Sequence, residues 1–552
     1  MDDRKLLSFF KGFRKNWLIS AILLTGVLAI GFALRRINLL LLPIFADEAI
    51  YVRWAQIMKA EPTLRFLPLQ DGKQPFFMWV IMPLLKFAED PLFAGRIISS
   101  VIGLVSIIGI FLITYELFKN KKAAIIASLL AAVSPFMVFF DRMALVDSML
   151  TAFSIFAMYF AVLTAKYTQL SLAIFTGFAL GFAWLTKSPA MFFIFLLPST
   201  ALLSNWPKQN SLRAMHLIRL FFLWGVSSLI AFGMYNILRL GPSFHLLALR
   251  NQDYVFTWRQ ALVHPLDPFQ FHMTELFQWL LTLLPTTIFF SALLGIFLAR
   301  KTYWREVLFL MAWTWAPLLV IAEIAKVFTA RYMLYAIPPF FILAALPFTL
   351  HPDSKWLKNK RLVWLLLILV VSPALLADYK FMTKPETADL PERERSGYLE
   401  NWTAGQGIRE IAVFLKNERK NTPAEQNLVV GSEGFFGTPY DGLMIYLEKV
   451  PGIFVTGIGT SVSDVHESLL NAQKAGDKVY LVINSSRMWA IPDDIGVKLI
   501  ASFPKAVKAN GSREELLFFE VTDQAIKIAD DKKAQDAADA KAAALKKLSP
   551  GK

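Results

Sequence analysis

The sequence predicts a mainly α-helical fold: a polytopic transmembrane bundle of about eleven spans, followed by a small C-terminal α/β domain outside the cytoplasm. Three observations predict this class. Hydrophobic residues make up 56% of the 552 residues and charged residues only 18%, which is less charge than the wetted surface of a soluble protein carries. Long apolar runs follow one another as far as residue 377. After Tyr379 the composition becomes charged and rich in turn residues.

Apolar runs that are nearly free of charge approach the roughly 20 residues that a helix needs to cross a hydrocarbon core of about 30 Å. They cover 17–34, 93–118, 123–140, 148–165, 220–238, 275–298, 306–322, 332–350 and 362–377. Each should be helical, because lipid offers no partners to backbone amides. Two shorter runs, 170–186 and 189–203, are predicted to be further spans that meet at Lys187, which brings the total to about eleven.

Basic residues indicate the orientation, because they collect in cytoplasmic loops. The chain begins with a basic segment that carries Arg4, Lys5, Lys11, Arg14 and Lys15, and no small-residue cleavage site follows the first run. We therefore expect a cytoplasmic N-terminus, no cleaved signal and, with an odd number of spans, an outer C-terminal domain in the cell membrane. The same bias explains the net charge of +15 without a nucleic-acid partner. The chain has no cysteine, which excludes disulfides and thiolate metal sites.

The predicted domains are a transmembrane domain at 1–380, an extracytoplasmic α/β domain at 390–522 and a charged, Ala/Lys-rich tail at 523–552. Strand-like runs at 428–430, 479–483 and 516–521 alternate with helical patterns at 407–419 and 464–475. Such alternation is typical of a small α/β domain. The tail has no apolar stripe, so it is expected to be a solvated helix or disordered.

Outer segments hold nearly all of the carboxylates that lie close to the ends of spans. The predicted outer segments are 43–92, 141–147, the surroundings of residue 187, 239–274, 323–331 and everything after 380. Within the first of them, residues 47–59 have the pattern of an amphipathic helix that lies along the membrane surface, with Tyr51 and Trp54 as anchors.

Three acidic residues in two segments on this side are candidate catalytic residues. Asp47 and Glu48 follow the first span, where adjacent carboxylates are costly unless they are exposed, paired or functional. The alternative is a helix N-cap, which favours these residue types equally well. Asp147 ends the loop 141–147, whose Asp-Arg-…-Asp pattern is equally consistent with an interfacial salt bridge. Charge counting places Asp47 and Asp147 on one face, which favours a functional role.

Three basic positions on the outer side oppose the positive-inside bias: Lys73, Lys187 and Arg331. The alternative for any one of them is an interaction of the long side chain with lipid phosphates. Three cations that share a face with two aspartates indicate an anionic ligand held by charge-assisted hydrogen bonds. A phosphate carried on a lipid would enter such a site sideways from the bilayer.

Histidines offer only weak candidates for a metal site. His264 and His272 lie in an outer loop beside Asp267, so a divalent cation is a candidate cofactor, although a polar loop without a ligand is the simpler interpretation. The sequence contains no phosphate-binding Gly-Lys loop, no His-Glu-x-x-His motif and no nucleophile elbow.

Five stretches, taken in order, resemble the membrane glycosyltransferases of the GT-C class, and in particular the group of protein mannosyltransferases and aminoarabinose transferases. The stretches are Phe45-Ala46-Asp47-Glu48-Ala49-Ile50-Tyr51, Gly72-Lys73-Gln74-Pro75, Arg142-Met143-Ala144-Leu145-Val146-Asp147, Leu185-Thr186-Lys187-Ser188-Pro189, and Arg331-Tyr332 with Pro338-Pro339. The resemblance covers most of residues 1–380. Residues 397–405 also look like the junction into the C-terminal domain of bacterial members.

The resemblance implies a site and a reaction. It makes Asp47 the catalytic base and Asp147 a second acid, with Glu48 as a further catalytic candidate. Lys73 and Arg331 match the family's contacts to the donor phosphate, and Lys187 is a further contact. The neighbouring Tyr332, Tyr51 and Arg53 are included in the same donor-binding set. The implied reaction moves a sugar from a polyprenyl-phosphate donor to a hydroxyl of a protein, glycan or lipid acceptor and inverts the anomeric centre.

This chain departs from the family's pattern in three places. Gln74 stands where Lys-Pro-Pro is usual, Ser188 stands where Lys-Gly-Pro is usual, and Gly72 stands where the lipid A-modifying members have Glu before the lysine. The last departure weakens the expectation of an aminoarabinose-type metal site, although Asp71 is a candidate substitute. A transporter of lipids or oligosaccharides, and a polysaccharide polymerase or ligase, stay open as alternative functions.

Overall fold

The computed structural model describes residues 3–350 and 358–548, so the end of the predicted tail, 549–552, lies outside the described residues. The described chain forms two compact units. The first lies within Met1–Leu42, Trp54–Glu89 and Phe93–Pro391. The second lies within Pro43–Arg53, Asp90–Leu92 and Glu392–Lys552. Residues 43–53, which include Asp47, therefore pack with the C-terminal part of the chain.

Helices dominate the chain as far as Thr383. In order they are α1 Asp3–Arg36, α2 Ala46–Ala60, α3 Phe76–Ile81, α4 Pro91–Phe118, α5 Lys121–Ala132, α6 Pro135–Asp141, α7 Val146–Tyr167, α8 Leu170–Thr186, α9 Met191–Leu196, α10 Asn210–Tyr235, α11 Leu246–Tyr254, α12 Trp258–Val263, α13 Asp267–Thr282, α14 Thr286–Ala299, α15 Trp304–Ile324, α16 Pro338–Ala345 and α17 Lys360–Thr383. Short 3-10 turns connect several of them, among them Leu67–Asp71, Ser188–Ala190 and Ala330–Ala336.

The described residues contain six helices that are long and apolar enough to cross a membrane, and nine such spans if each bent helix pair is one span. The runs at 170–186 and 189–203 form the shorter apolar helices Leu170–Thr186 and Ser188–Leu203. The predicted helical membrane bundle is confirmed. The predicted total of about eleven spans is not confirmed.

Three runs for which the sequence predicts single helices are bent in the structure. The bends are 57° between α5 and α6, 104° between α13 and α14, and 55° between Ala330–Ala336 and Pro338–Phe348. A proline lies at each break, namely Pro135, Pro285 and Pro338, and proline removes one backbone donor and disfavours the helical conformation of the residue before it. Backbone groups at two of the breaks bond to each other, because the Phe136 amide donates to the Leu283 carbonyl at 3.1 Å.

The C-terminal part of the second unit is a small α/β domain, as predicted. Its helices are α18 Glu392–Arg395, α19 Ile408–Asn421, α20 Thr438–Leu447, α21 Glu467–Lys474 and α22 Asp523–Leu548; its strands are β3 Leu428–Ser432, β4 Ile453–Gly457, β5 Lys478–Asn484, β6 Val497–Val507 and β7 Arg513–Val521. The sheet order is β4-β3-β5-β7-β6. Strands β4, β3 and β5 run parallel, and β7 pairs antiparallel with β5 and β6.

A two-stranded sheet joins the two parts of the second unit. Strand β1, Ile44–Phe45, pairs antiparallel with β2, Ala404–Gly405. The tail is helical as far as Leu548, and Ala525 in its first turns is buried in the core of the α/β domain with Leu481 and Phe519. Lys532 pairs with Asp464 at 2.6 Å. Of the two alternatives for the tail, the described part is a helix.

Candidate active site

Asp147 and Lys187, two of the site residues predicted from the sequence, form an ion pair in the first unit. Lys187 Nζ lies 2.6 Å from Asp147 Oδ1. The aspartate side chain is 2% exposed and the lysine side chain 20% exposed, so the carboxylate is buried while the ammonium group keeps some accessible surface. The second oxygen, Asp147 Oδ2, has no hydrogen-bond partner among the described residues. The pair therefore offers a ligand one accessible cation, while the second oxygen of Asp147 is buried.

Local structure determines where these two side chains lie. Asp147 is in the first turn of α7, where the positive end of the helix dipole stabilises a carboxylate. Lys187 follows α8 in an extended conformation, with φ −161° and ψ 142°, and Pro189 opposes continuation of the helix. A two-residue turn joins α7 to α8, and the helices pack against each other. The start of α7 and the end of α8 are therefore neighbours.

The turn Ala330–Ala336 adds the predicted Arg331 and Tyr332 to this pair. Lys187 Nζ lies 4.1 Å from the centre of the Tyr332 ring, and the Arg331 guanidinium carbon lies 5.5 Å from the same centre. Both distances are typical of cation–π contacts. The sequence did not single out Tyr335 from the same turn, which is buried and whose hydroxyl has no hydrogen-bond partner in the described chain. Two of the predicted phosphate ligands, Lys187 and Arg331, thus lie around the ring of Tyr332, which belongs to the same predicted donor-binding set.

Lys73 lies in a second cluster of charges in the first unit. Its Nζ is 3.5 Å from Asp71 Oδ2 and 3.5 Å from the Tyr254 hydroxyl. Asp71 Oδ1 accepts a hydrogen bond from Arg250 at 3.2 Å. Gly72 has φ +67°, and a Cβ there would lie 2.3 Å from the Cβ of Arg250. The left-handed backbone and this contact explain why glycine, and not glutamate, precedes the lysine here.

A hydrogen bond joins the two lysine-bearing segments. Gln74 Nε2 donates to Ser188 Oγ at 2.6 Å, and Gln74 is only 5% exposed. These are the two positions at which the chain departs from the Lys-Pro-Pro and Lys-Gly-Pro patterns. Nearby, the Phe76 ring packs 5.1 Å from that of Phe182. The two departures therefore compensate each other, and the segments of Lys73 and Lys187 are held together by a bond that neither usual pattern could form.

We expect Gln74→Met and Ser188→Ala each to raise the KM for the lipid donor about two- to tenfold, because a hydrogen bond of this kind contributes about 0.5–1.5 kcal/mol. The double variant should be no worse than the more affected single variant, since the partners act together. Donor KM and kcat of the four proteins form a double-mutant cycle. Strictly additive effects would show that the bond does not position the lysines.

The charges of the loop 141–147 do not pair with one another. Asp141 Oδ2 lies 2.9 Å from Arg35 Nη2, and both side chains are fully buried. Arg142 donates to the carbonyls of Leu34 and Ile37 at 2.9 and 2.7 Å, so it satisfies the C-terminal carbonyls of α1. The interfacial salt bridge within the loop is therefore not observed. Asp141 and Arg142 bond to the end of α1, so of the three charged residues of the loop only Asp147 belongs to the candidate site.

Asp47 belongs to the second unit, where it lies half-buried in the first turn of α2. The fully buried Glu48 accepts the Phe45 amide at its Oε2, at 3.0 Å, which is one half of a capping box. The Ala46 amide donates to the Thr403 carbonyl at 3.1 Å. The capping role expected of this pair thus falls to Glu48, and Asp47 lies on a helix start that is fixed from both sides.

Tyr51 and Arg53, the other predicted donor contacts, lie on the same part of α2. Tyr51 is 4% exposed. Arg53 Nη1 forms a 2.6 Å ion pair with Glu448 Oε1, with side-chain exposures of 13% and 25%. Arg53 is therefore engaged by the α/β domain of its own unit, a partner that the sequence did not indicate.

The histidine candidates for a metal site lie on different elements. His264 is exposed after α12. His272 is buried in α13, with Nδ1 2.7 Å from the Ala322 carbonyl oxygen and its ring packed on Phe328. Within 3–350 and 358–548 no three His, Asp or Glu side chains are grouped as metal ligands would be. His272 is thus buried and hydrogen-bonded as expected of a histidine that stabilises the packing of helices.

Comparison with known proteins gives the class. The family model described as dolichyl-phosphate-mannose-protein mannosyltransferase matches residues 72–232. The structure of ArnT from Cupriavidus metallidurans in the apo state is similar with a TM-score of 0.57 and 14% identity, over 93% of this chain and 99% of that one. The structure of ArnT from the same organism bound to undecaprenyl phosphate is similar with a TM-score of 0.53 and 16% identity, over 92% of this chain and 98% of that one.

An archaeal oligosaccharyltransferase, AglB from Archaeoglobus fulgidus in complex with an inhibitory peptide and a dolichol-phosphate, gives a TM-score of 0.50 and 13% identity, over 91% of this chain and 74% of that one. No curated protein matches in sequence. The fold is that of the GT-C class of membrane glycosyltransferases, and the chain is an integral membrane protein. The resemblance to the protein mannosyltransferase and aminoarabinose transferase group is confirmed.

Proposed function

We propose that this protein transfers a sugar from a polyprenyl-phosphate donor to an acceptor hydroxyl at the outer face of the cell membrane, with inversion at the anomeric carbon. The observation that carries this proposal is the cluster of Lys187, Asp147 and Tyr332, tied to the segment of Lys73 by the Gln74–Ser188 bond. Two of the similar structures were solved with a lipid phosphate, one with undecaprenyl phosphate and one with a dolichol-phosphate, which supports a lipid-linked phosphate as the ligand of these cations.

In the proposed step, the acceptor oxygen attacks the anomeric carbon and Asp47 takes the acceptor's proton as general base. The bond between the anomeric carbon and the phosphate oxygen breaks, and its electron pair leaves with the polyprenyl phosphate. Lys73, Lys187 and Arg331 stabilise the negative charge of that leaving group. Tyr332, Tyr51 and Arg53 complete the donor-binding set, and Asp147 holds the acceptor or supports the positive charge that develops on the sugar.

The structure supports a division of labour among the acids. Glu48 is buried and bonded to the Phe45 amide, so we propose that it positions Asp47. Asp147 already binds Lys187, and a donor phosphate would compete for that lysine. Binding of the donor would then release a carboxylate to the sugar at the moment when the phosphate is neutralised.

The test is an assay with the full-length protein in lipid nanodiscs, a radiolabelled sugar on a polyprenyl phosphate, and membrane extract as the source of acceptor. Sugar transfer with release of polyprenyl phosphate, abolished in Asp47→Asn, is the expected result. A transporter would move the donor across the bilayer with its sugar intact. A polymerase or ligase would lengthen or join glycans and leave the polyprenyl-phosphate sugar untouched. Either of these outcomes contradicts the proposal.

Lys73→Ala should raise the KM for the lipid donor about 10–100-fold and leave the KM for the acceptor unchanged. The reason is that a hydrogen bond to a charged group contributes about 1.5–3 kcal/mol. Lys474→Ala is the matched control, because Lys474 is an exposed lysine that pairs with Asp530 at the surface of the α/β domain. Initial rates over a grid of donor and acceptor concentrations separate the two constants. Unchanged donor kinetics would contradict the role of Lys73.

A further inference from the structure

The carboxyl ends of the parallel strands in the α/β domain have no part in the proposed transfer reaction. The chain runs from β3 to β4 on one side and then returns to β5 on the other side of β3. The strand order therefore reverses between β3 and β5. In open α/β sheets, ligands bind outside the carboxyl ends of the strands at such a reversal.

A buried polar network lies at this end of the strands. Glu433, directly after β3, is 1% exposed and accepts hydrogen bonds from the Asn484 amide at 2.7 Å and from Arg487 at 3.1 Å. Lys505 is fully buried and donates to the Asn401 carbonyl at 3.0 Å and to the Asn484 side chain. Burial raises the pKa of Glu433 and lowers the pKa of Lys505 to about 8. Burying ionisable side chains costs free energy, so the presence of this network indicates a functional role.

The network orients one cation at the surface. Arg487, bonded to Glu433, keeps 23% of its side chain exposed, and its guanidinium carbon lies 4.3 Å from the centre of the Trp402 ring. A guanidinium held by a carboxylate and an aromatic ring is pre-organised, so little freedom is lost when it binds a ligand.

Besides Trp402, exposed aromatic side chains lie on the loops that follow β3 and β5. We name Trp402, Phe435, Phe436 and Trp489 the aromatic edge; their exposed fractions are 40%, 69%, 47% and 73%. Hydrogen bonds tie the loops together: the Gly434 amide donates to the Gly459 carbonyl at 2.6 Å and the Trp489 amide to the Val462 carbonyl at 2.9 Å. Gly434 and Gly437, with φ +68° and +101°, flank the two phenylalanines and fix their loop in a shape that other residues rarely adopt.

This edge is directly connected to the helix start that carries Asp47, within the same unit. The Thr403 carbonyl, next to Trp402, accepts the Ala46 amide at 3.1 Å and the Thr438 hydroxyl at 2.9 Å. Thr438 begins α20, directly after the loop of the two phenylalanines. A ligand on the aromatic edge would therefore be bound by the segment that also fixes the proposed base.

We propose that the aromatic edge and Arg487 bind a carbohydrate, and that this carbohydrate is the recognised part of the sugar acceptor. Sugar rings present C–H groups on their faces and hydroxyls at their rims. The faces pack on aromatic rings, whose π clouds are negative, and the hydroxyls accept hydrogen bonds from the guanidinium. The role as acceptor site rests on the proposed function; the binding of a carbohydrate does not.

Two other occupants fit the observations less well. A lipid bilayer takes up exposed aromatic side chains, but it does not require a guanidinium oriented by a buried carboxylate. An extended peptide commonly adds to a free strand edge through its backbone, whereas the ends of β3 and β5 present loops.

The test is isothermal titration calorimetry of the full-length protein in detergent micelles with mannotriose, maltotriose and chitotriose. We expect at least one of them to bind, and Phe435→Ala, Trp489→Ala and Arg487→Gln each to weaken that binding about tenfold. Phe454→Ala is the matched control, because Phe454 is 56% exposed but lies within β4; it should bind as the wild type does. Near-ultraviolet circular dichroism verifies that each variant is folded.

Failure of this inference and failure of the proposed function can be distinguished. The Asp47→Asn variant should bind the oligosaccharide with unchanged affinity while transfer is lost. Wild-type transfer without binding of any of the three oligosaccharides overturns the inference alone, and binding without any transfer activity overturns the proposed reaction alone. If brominated lipid in nanodiscs quenched the tryptophan fluorescence of the wild type more than that of Trp489→Phe, the aromatic edge would be a membrane contact. Tighter binding of a serine-rich peptide would identify a peptide site. Either result overturns the inference.

Discussion

Asp47→Asn is expected to lower the rate of sugar transfer about 10²–10⁴-fold, which is the range that a positioned general base contributes. Asparagine is nearly isosteric with aspartate but cannot take the acceptor's proton. The helix start should survive the change, since its capping bond comes from Glu48 and its flanking bond from the Thr403 carbonyl. The loss should therefore appear in kcat, while the KM for the donor changes little.

The control for this prediction is Asp389→Asn. Asp389 is also an aspartate near the end of a helix, but its side chain is 80% exposed and pairs with Lys380 at the surface. Expression, thermal unfolding and single-turnover transfer should be measured for both variants and for the wild type. If Asp47→Asn keeps more than about a tenth of the wild-type rate, Asp47 is not the base.

Lys187→Ala should cause the largest loss of stability among the site variants. It leaves the Asp147 carboxylate, 2% exposed, without the cation that compensates it. Removing one partner of a buried ion pair costs about 3–5 kcal/mol, and the partial exposure of Lys187 places the expected loss near or below the lower end of that range. The midpoint of thermal unfolding, measured in detergent micelles, should fall clearly below that of the wild type.

A second substitution separates the stability effect from the catalytic one. In the double variant Lys187→Ala, Asp147→Asn no uncompensated charge remains, so the unfolding midpoint should recover much of the loss. Transfer should stay low in both variants, because the donor phosphate has still lost one of its cations. A double variant as unstable as Lys187→Ala alone would mean that the side chain of Lys187 stabilises the fold by packing and not by its charge.

Hydropathy predicted the membrane bundle because transmembrane segments must be both long and apolar. It could not predict the three bends, since a helix broken by Pro135, Pro285 or Pro338 is as apolar as a straight one. The prolines were visible, but proline inside a membrane helix is tolerated where other groups satisfy the freed backbone. Whether that happens depends on neighbours far away in the chain, such as the Leu283 carbonyl for Phe136.

In the candidate site, too, the sequence predicted the residues but not their partners from distant parts of the chain. The sequence identified Asp147 and Lys187 separately, one as an acid for the acceptor or sugar and the other as a phosphate ligand. Their ion pair joins residues 40 positions apart across two helices, and charge counting gives the side of the membrane but not the partner. The bond between Gln74 and Ser188 had a visible signal, because both positions depart from the family's patterns. When two positions both depart from a family's patterns, a contact between their side chains can be expected.

The pairing of β1 with β2 has a consequence for how the protein can be divided. A chain cut after Pro391 would keep the bends, the lysines and Asp147, yet it would lack the strand and the Thr403 carbonyl that hold residues 44–46 in place. The segment with Asp47 would then lose its anchor. A protein built in this way cannot exchange its C-terminal α/β domain for an unrelated one as a modular protein does, because that domain holds the segment that carries the proposed base.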